Sequence, residues 1–141
     1  MSLQRAMAIA ASGLTAQRTR METVSSNLAN ARTTRTPEGG PYRRREPVFA
    51  AQPFDLTFDD RVGRGLRSVR VVTVAQDPSP FPLHYEPGHP DADERGFVAY
   101  PNVDPVREMV DMLSATRSYE ANVTLVRSIR EMLQSALQIL A

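Results

Sequence analysis

Asp104-Pro105-Val106-Arg107-Glu108-Met109-Val110-Asp111-Met112-Leu113 opens a run that continues to Ala141 without another proline or glycine. Asp104 is a good helix N-cap, and Pro105 suits the first helical position, where its missing N–H leaves no bond unmade. From Met109 the pattern steps 3,4,3,4 through Met112, Thr116, Tyr119, Val123, Val126, Arg130, Leu133, Leu137 and Leu140. Only Thr116 and Arg130 dilute it. A heptad seam of this length predicts a helix that packs along other helices. A second stripe runs beside it through Val106, Val110, Leu113, Ile129, Met132, Ala136 and Ile139. Two adjacent seams ask for more than one partner. At 1.5 Å per residue the helix is roughly 50 Å long, so its partners are expected partly outside the chain.

Working outward, the other end of the chain repeats this logic. From Ser2 to about Ala29, one face carries Leu3, Met7, Ala10, Leu14, Gln17, Met21, Val24 and Leu28 in steps of 4,3,4,3. The other faces of the first four turns are small: Ala6, Ala8, Ala11, Ser12, Gly13, Thr15 and Ala16. A solvated helix usually carries charge there. Gly13 costs about 1 kcal/mol against alanine in a helix interior, a cost that close helix approach would justify, a kink being the alternative. The N-terminal helix is therefore expected to be covered on more than one side. Residues 1–36 carry five arginines and one glutamate, whereas 103–141 carry four arginines and five acids. The opposed charges and the return of the chain predict an antiparallel pair of terminal helices.

Between them the composition changes. All 11 prolines lie between Pro37 and Pro105, with six of the seven glycines and eight of the nine aromatic residues. The expected organisation is tripartite: helix over 1–30, a Pro/Gly-rich middle over 31–103 with short β-strands and hairpins, and helix over 104–141. Thr36-Pro37-Glu38-Gly39-Gly40-Pro41-Tyr42 reads as a turn, Gly-Gly supplying positive φ. Gly65 to Val74 is the best strand, rich in β-branched residues. Asp77 to Pro90 is extended and kinked by proline, and Gly96 to Pro101 is a short last strand. The fold class is mainly α with a small β region, the terminal helices pairing as an antiparallel coiled coil.

A net charge of +1 over 141 residues gives no general attraction to nucleic acid or an anionic membrane. There is no cysteine, which excludes disulfides and thiolate catalysis. No run reaches the ~20 apolar residues that span a bilayer. The short alanine-rich run after Arg5 is a poor secretory signal, so no cleaved signal is expected.

Two stretches resemble a known family. Ser26-Asn27-Leu28-Ala29-Asn30 closes the first helix; Leu28 reads as a docked residue and the two amides as holding the departing backbone. That stretch is similar to the N-terminal signature of bacterial flagellar rod and hook proteins. Asn102 and Asp104, Glu108-Met109-Val110, and Arg117-Ser118-Tyr119-Glu120-Ala121-Asn122 resemble the C-terminal motif of the same family. Short length and the Asp77–Pro90 segment resemble the proximal rod branch rather than the longer distal rod and hook proteins. The resemblance implies a structural subunit that builds a helical tube and transmits motor torque. It implies copies of itself, other rod proteins, the membrane-ring protein at the rod base and the flagellar type III export apparatus as partners. It places the chain in the periplasmic rod of the basal body. Subunit contacts are then expected at Leu3, Met7, Ala10, Gly13, Leu14, Met21, Val24 and Leu28. On the last helix they are expected at Met109, Met112, Tyr119, Val123, Val126, Leu133, Leu137 and Leu140.

Other chemistry is weak. His84 and His89 with Asp91 and Asp93 match no zinc or EF-hand spacing, and local hydrogen bonding of the imidazoles is expected instead. Arg43-Arg44-Arg45 is followed by Glu46, Asp55, Asp59 and Asp60, which favours a solvated or subunit-facing patch over a phosphate site. No catalytic constellation or cofactor fingerprint is present. The rival reading from another class is a soluble coiled-coil adaptor or export chaperone that holds a client peptide. An enzyme using the His84/His89 region is the weakest alternative.

Overall fold

The computed structural model describes residues 3–53 and 67–140. Helix α1 (Leu3–Ala29) is followed by strands β1 (Arg45–Pro53), β2 (Arg67–Gln76), β3 (Leu83–Tyr85) and β4 (Phe97–Ala99), and the chain closes with helix α2 (Pro105–Leu140). Ser2, the expected cap of α1, and Gly65 and Leu66 at the start of the expected strand lie outside the described residues, as do the side chains of Ile139 and Leu140.

The expected cap of α2 forms. The Val106 N–H donates to Asp104 Oδ1 at 2.9 Å, and the Glu108 N–H donates to the Asp104 carbonyl at 3.0 Å. α1 ends as its asparagines suggest, with Asn30 Nδ2 donating to the Ser26 carbonyl at 2.9 Å and the Asn30 N–H to the same oxygen at 3.1 Å. The helices run antiparallel: Asn27 meets Glu108, Arg20 meets Asp111, Met21 meets Thr116 and Gly13 faces Asn122. The contact is close because it is built from small residues. Ala10 and Ala115 are buried, with Val24, Ile129, Asn27 and Glu108 as the larger buried side chains on the helices.

Strands β1 and β2 form an antiparallel ribbon that packs on α1, with the Val69 N–H donating to Ser12 Oγ at 3.2 Å. α1 is thus covered on two sides within its own chain. Its third side, Gln4, Ala8, Ala11, Thr15, Arg18, Glu22, Ser25 and Ala29, is exposed.

β1 carries Pro47 and Pro53, which hide it from a reading by strand propensity. In a two-stranded ribbon each strand is an edge, where a proline is tolerated because its missing N–H can face outward. The ladder shifts register between Val48 and Phe49. β3 pairs with β4 through Leu83↔Ala99 and Tyr85↔Phe97. Gly96 closes that turn at φ +82°, where a Cβ would stand 2.9 Å from the Tyr85 ring. The Gly39-Gly40 turn also has positive φ at both residues, as its sequence requires.

Candidate functional site

Where the two ends of the chain meet, the packing is polar. Asn27, near the end of α1, is fully buried. Its Nδ2 donates to the Arg45 carbonyl at 2.8 Å and to Glu108 Oε2 at 2.9 Å. Its Oδ1 accepts from the Arg45 N–H at 2.9 Å and from the Tyr42 hydroxyl at 3.0 Å. One amide therefore ties α1 to the start of β1 and to the first turn of α2. Every donor and acceptor is used, as burial in a low-dielectric interior demands.

Glu108 is 0% exposed. Its Oε1 accepts from Arg44 Nε at 2.6 Å, a charge-assisted bond between two buried groups. The Arg44 side chain, 10% exposed, also lies 3.1 Å from Glu46, 3.6 Å from Asp77 and 3.9 Å from Asp111. Burial pulls the Arg44 pKa down, but hydrogen bonding and charge from Glu108, then Glu46, outweigh it and hold the pKa above its usual value. Asn102 completes the junction. Its Oδ1 accepts from the Arg44 N–H at 2.8 Å, and its Nδ2 donates to the Asp77 and Ser79 carbonyls. Arg43 Nη1 donates to the same two carbonyls, and its guanidinium sits 4.2 Å from the Phe81 ring centre. The junction floors a cleft of about 350 Å³ between α1, β1 and α2.

The geometry of the single chain bears on three expectations. The arginine triplet is not a uniform solvated or subunit-facing patch: Arg44 points inward and is neutralised, while Arg45 is exposed. Within the single chain Leu28 is 36% exposed, and Asn27 takes the buried position at the end of α1. The seam of α2 against α1 is also offset from the apolar pattern. Glu108, Ala115 and Ile129 are buried and Asn122 faces Gly13, whereas Met109 and Arg130 one residue later are exposed.

The other candidate residues are distributed as follows. Ala10 and Val24 are closed off inside the chain. Leu3, Met7, Gly13, Leu14 and Met21 on α1, and Met112, Tyr119, Val123 and Val126 on α2, are half-buried. Leu133 and Leu137 are exposed. Of the motif residues, Ser26 Oγ lies 3.3 Å from the Tyr42 hydroxyl, Asn122 Nδ2 donates to the Ser118 carbonyl at 3.0 Å, and Ala29 and Arg117 are exposed. Arg44 and Tyr42, the partners contributed by the middle segment, were missed. The only sequence signal for them was an arginine run at the exit of a turn.

His84 packs edge-on against Tyr100 with ring centres 5.0 Å apart, and His89 Nδ1 accepts from the Asp91 N–H at 3.1 Å. Among the described residues no three His, Cys, Asp or Glu side chains group as metal ligands, and no helix is long and apolar enough to cross a membrane.

Two family models match the chain. One, described as flagella basal body rod protein, matches residues 7–35; the other, flagellar basal body rod FlgEFG protein C-terminal, matches residues 94–139. The chain is 46% identical to the flagellar basal-body rod protein FlgC of Borreliella burgdorferi, the match covering 99% of each chain. It is 45% identical to FlgC of Bacillus subtilis over 93% of each, and 40% identical to FlgC of Salmonella typhimurium over 97% of each. The chain belongs to the flagellar basal-body rod protein family. The two stretches matched by the rod-family models are the ones that the junction joins: Asn27 lies in the first and Glu108 in the second. Arg44, the cation between them, lies in neither.

Proposed function

We propose that the chain is a structural subunit of the flagellar rod at its proximal end, assembling through its terminal helices into a helical tube that transmits motor torque. The observation that carries this reading is that both helices keep a face their own chain does not cover. On α2, Val106, Val110 and Leu113 are each more than half exposed, and Leu137 is 67% exposed near the end of a helix nine residues longer than α1. On α1, the small exposed stripe through Ala8, Ala11 and Thr15 allows close approach. Helices in proteins derive most of their stability from tertiary packing, so these faces gain from neighbouring subunits.

In this reading the terminal regions 1–30 and 104–141 form the tube wall as an antiparallel coiled coil, and 31–103 decorates it. Partners are copies of the chain, other rod proteins and the membrane-ring protein at the rod base. The chain reaches the periplasmic space through the flagellar type III apparatus. The high identity to FlgC chains along almost the whole length supports this assignment.

Val110→Asp and Leu137→Asp test it. Both side chains are exposed in the single chain, so circular dichroism and monomer stability should be unchanged within about 0.5 kcal/mol. Co-sedimentation with rod components and motility of a complemented strain should be lost. Normal motility with both changes removes these faces from the assembly.

A further inference from the structure

The buried charges at the junction need an explanation beyond stability, because an apolar replacement of a buried ion pair is often as stable or more so. The spacing along the helices supplies one. Asn27 meets Glu108, and Gly13 faces Asn122; each pair is separated from the other by 14 residues on both helices, which is two heptads. Between them along α2 lies buried Ala115, and beyond them Ile129, again at seven-residue steps. Such a repeat has an inherent ambiguity. Sliding α2 by seven residues along α1 presents the same face and exchanges one small or apolar layer for another. Apolar layers alone discriminate poorly between such registers.

We propose that Asn27–Glu108–Arg44 and Gly13–Asn122 act as a two-point key that fixes the register of α2 on α1. Each half works by a different cost. A slip by one heptad takes the Glu108 carboxylate away from Arg44 Nε and Asn27 Nδ2 and costs each a buried hydrogen bond, leaving Arg44 only Glu46 and Asp77 and the Asn27 amide only β1 and Tyr42. The same slip removes Asn122 from Gly13. A Cβ at Gly13 would stand 3.1–3.3 Å from the Asn122 amide, so the bare glycine lets Asn122 sit in this layer without displacement. Buried polar residues at single heptad positions are known to specify register at the expense of stability.

The absence of cysteine makes the register directly readable. In the full chain, Ala6→Cys with Ile129→Cys reports the native register, one heptad beyond the Gly13 layer. Ala6→Cys with Ala136→Cys reports a slip of seven residues. Under mild oxidation only the first pair should close in the otherwise unchanged protein. Gly13→Ala/Asn122→Ala makes that layer as small as the Ala115 layer and is mild enough to fold; Arg44→Met/Glu108→Leu removes the charged half. Each double variant should raise closure of the slipped pair several-fold at unchanged helix content, and the combination should populate both registers. If either double variant stays helical and closes only the native pair, the apolar layers or the β1–β2 ribbon set the register, and the key is refuted.

Discussion

Asn27 uses all of its hydrogen-bonding capacity on three different segments, so its loss is felt at each of them. Asn27→Ala should destabilise the single chain by about 2–3 kcal/mol in urea unfolding, because it removes the side-chain partner of the Arg45 N–H and carbonyl and takes one bond each from the Tyr42 hydroxyl and Glu108. Gln17 is the opposite case. Its Oε1 is buried and accepts no hydrogen bond among the described residues, so Gln17→Met should stabilise the monomer by about 1 kcal/mol. Asp77 gives the junction a pH dependence. Its carboxylate accepts from the Ser79 hydroxyl and N–H and faces Arg44, and these bonds hold its pKa below the usual carboxylate value. A depressed acid pKa means stability that is fully present above the unfolded value and lost as pH falls through the folded one. Asp77→Asn should therefore flatten the stability profile below about pH 4 and leave it unchanged in slope near neutrality.

At the scale of elements, the same glycine that a propensity scale penalises is explained by one contact. Gly13→Ala should cost little, since the Asn122 amide has only to move by a few tenths of an ångström. Gly13→Leu should overpack the helix pair by about 1–3 kcal/mol, seen as a lower urea midpoint at an unchanged slope. The two long helices, the Asp104 cap and the Gly39-Gly40 turn were legible in the sequence because each rests on local chemistry. The exact face of each helix was not. A reading by hydrophobicity places Leu28 and Met109 in the seam, whereas Asn27 and Glu108 occupy it. A buried polar residue is written in the same letters as a solvated one, and only its partner distinguishes them. That partner, Arg44, is 64 residues from Glu108 and sits in an arginine run that looks like surface. β1 stayed hidden for a related reason: its prolines argue against a strand unless the ribbon is known to have only two.

For the molecule as a whole, the difference in helix length matters most. α1 spans 27 residues and α2 spans 36, so the end of α2 runs past the start of its neighbour. Residues 130–138 are all exposed, Leu133 and Leu137 among them. Amide exchange in dilute protein should accordingly be fast across 130–140 and slow across 108–122. On assembly the order should equalise, with protection reaching the last turns. Fast exchange persisting there in assembled rods shows that this end is not where subunits meet.

The junction has a kinetic consequence as well. Glu108 is 81 residues from Asn27 and 64 from Arg44, so its bonds close long loops. Closing them carries an entropic cost before any contact repays it, and the ions must shed water as they dock. The junction therefore stays open until the last third of the chain docks on α1, whereas the β1–β2 ribbon can form without it. Arg44→Met/Glu108→Leu removes the dehydration step and should refold faster than the unmodified chain in stopped-flow dilution from urea. An unchanged refolding rate shows that docking of these ions does not limit folding.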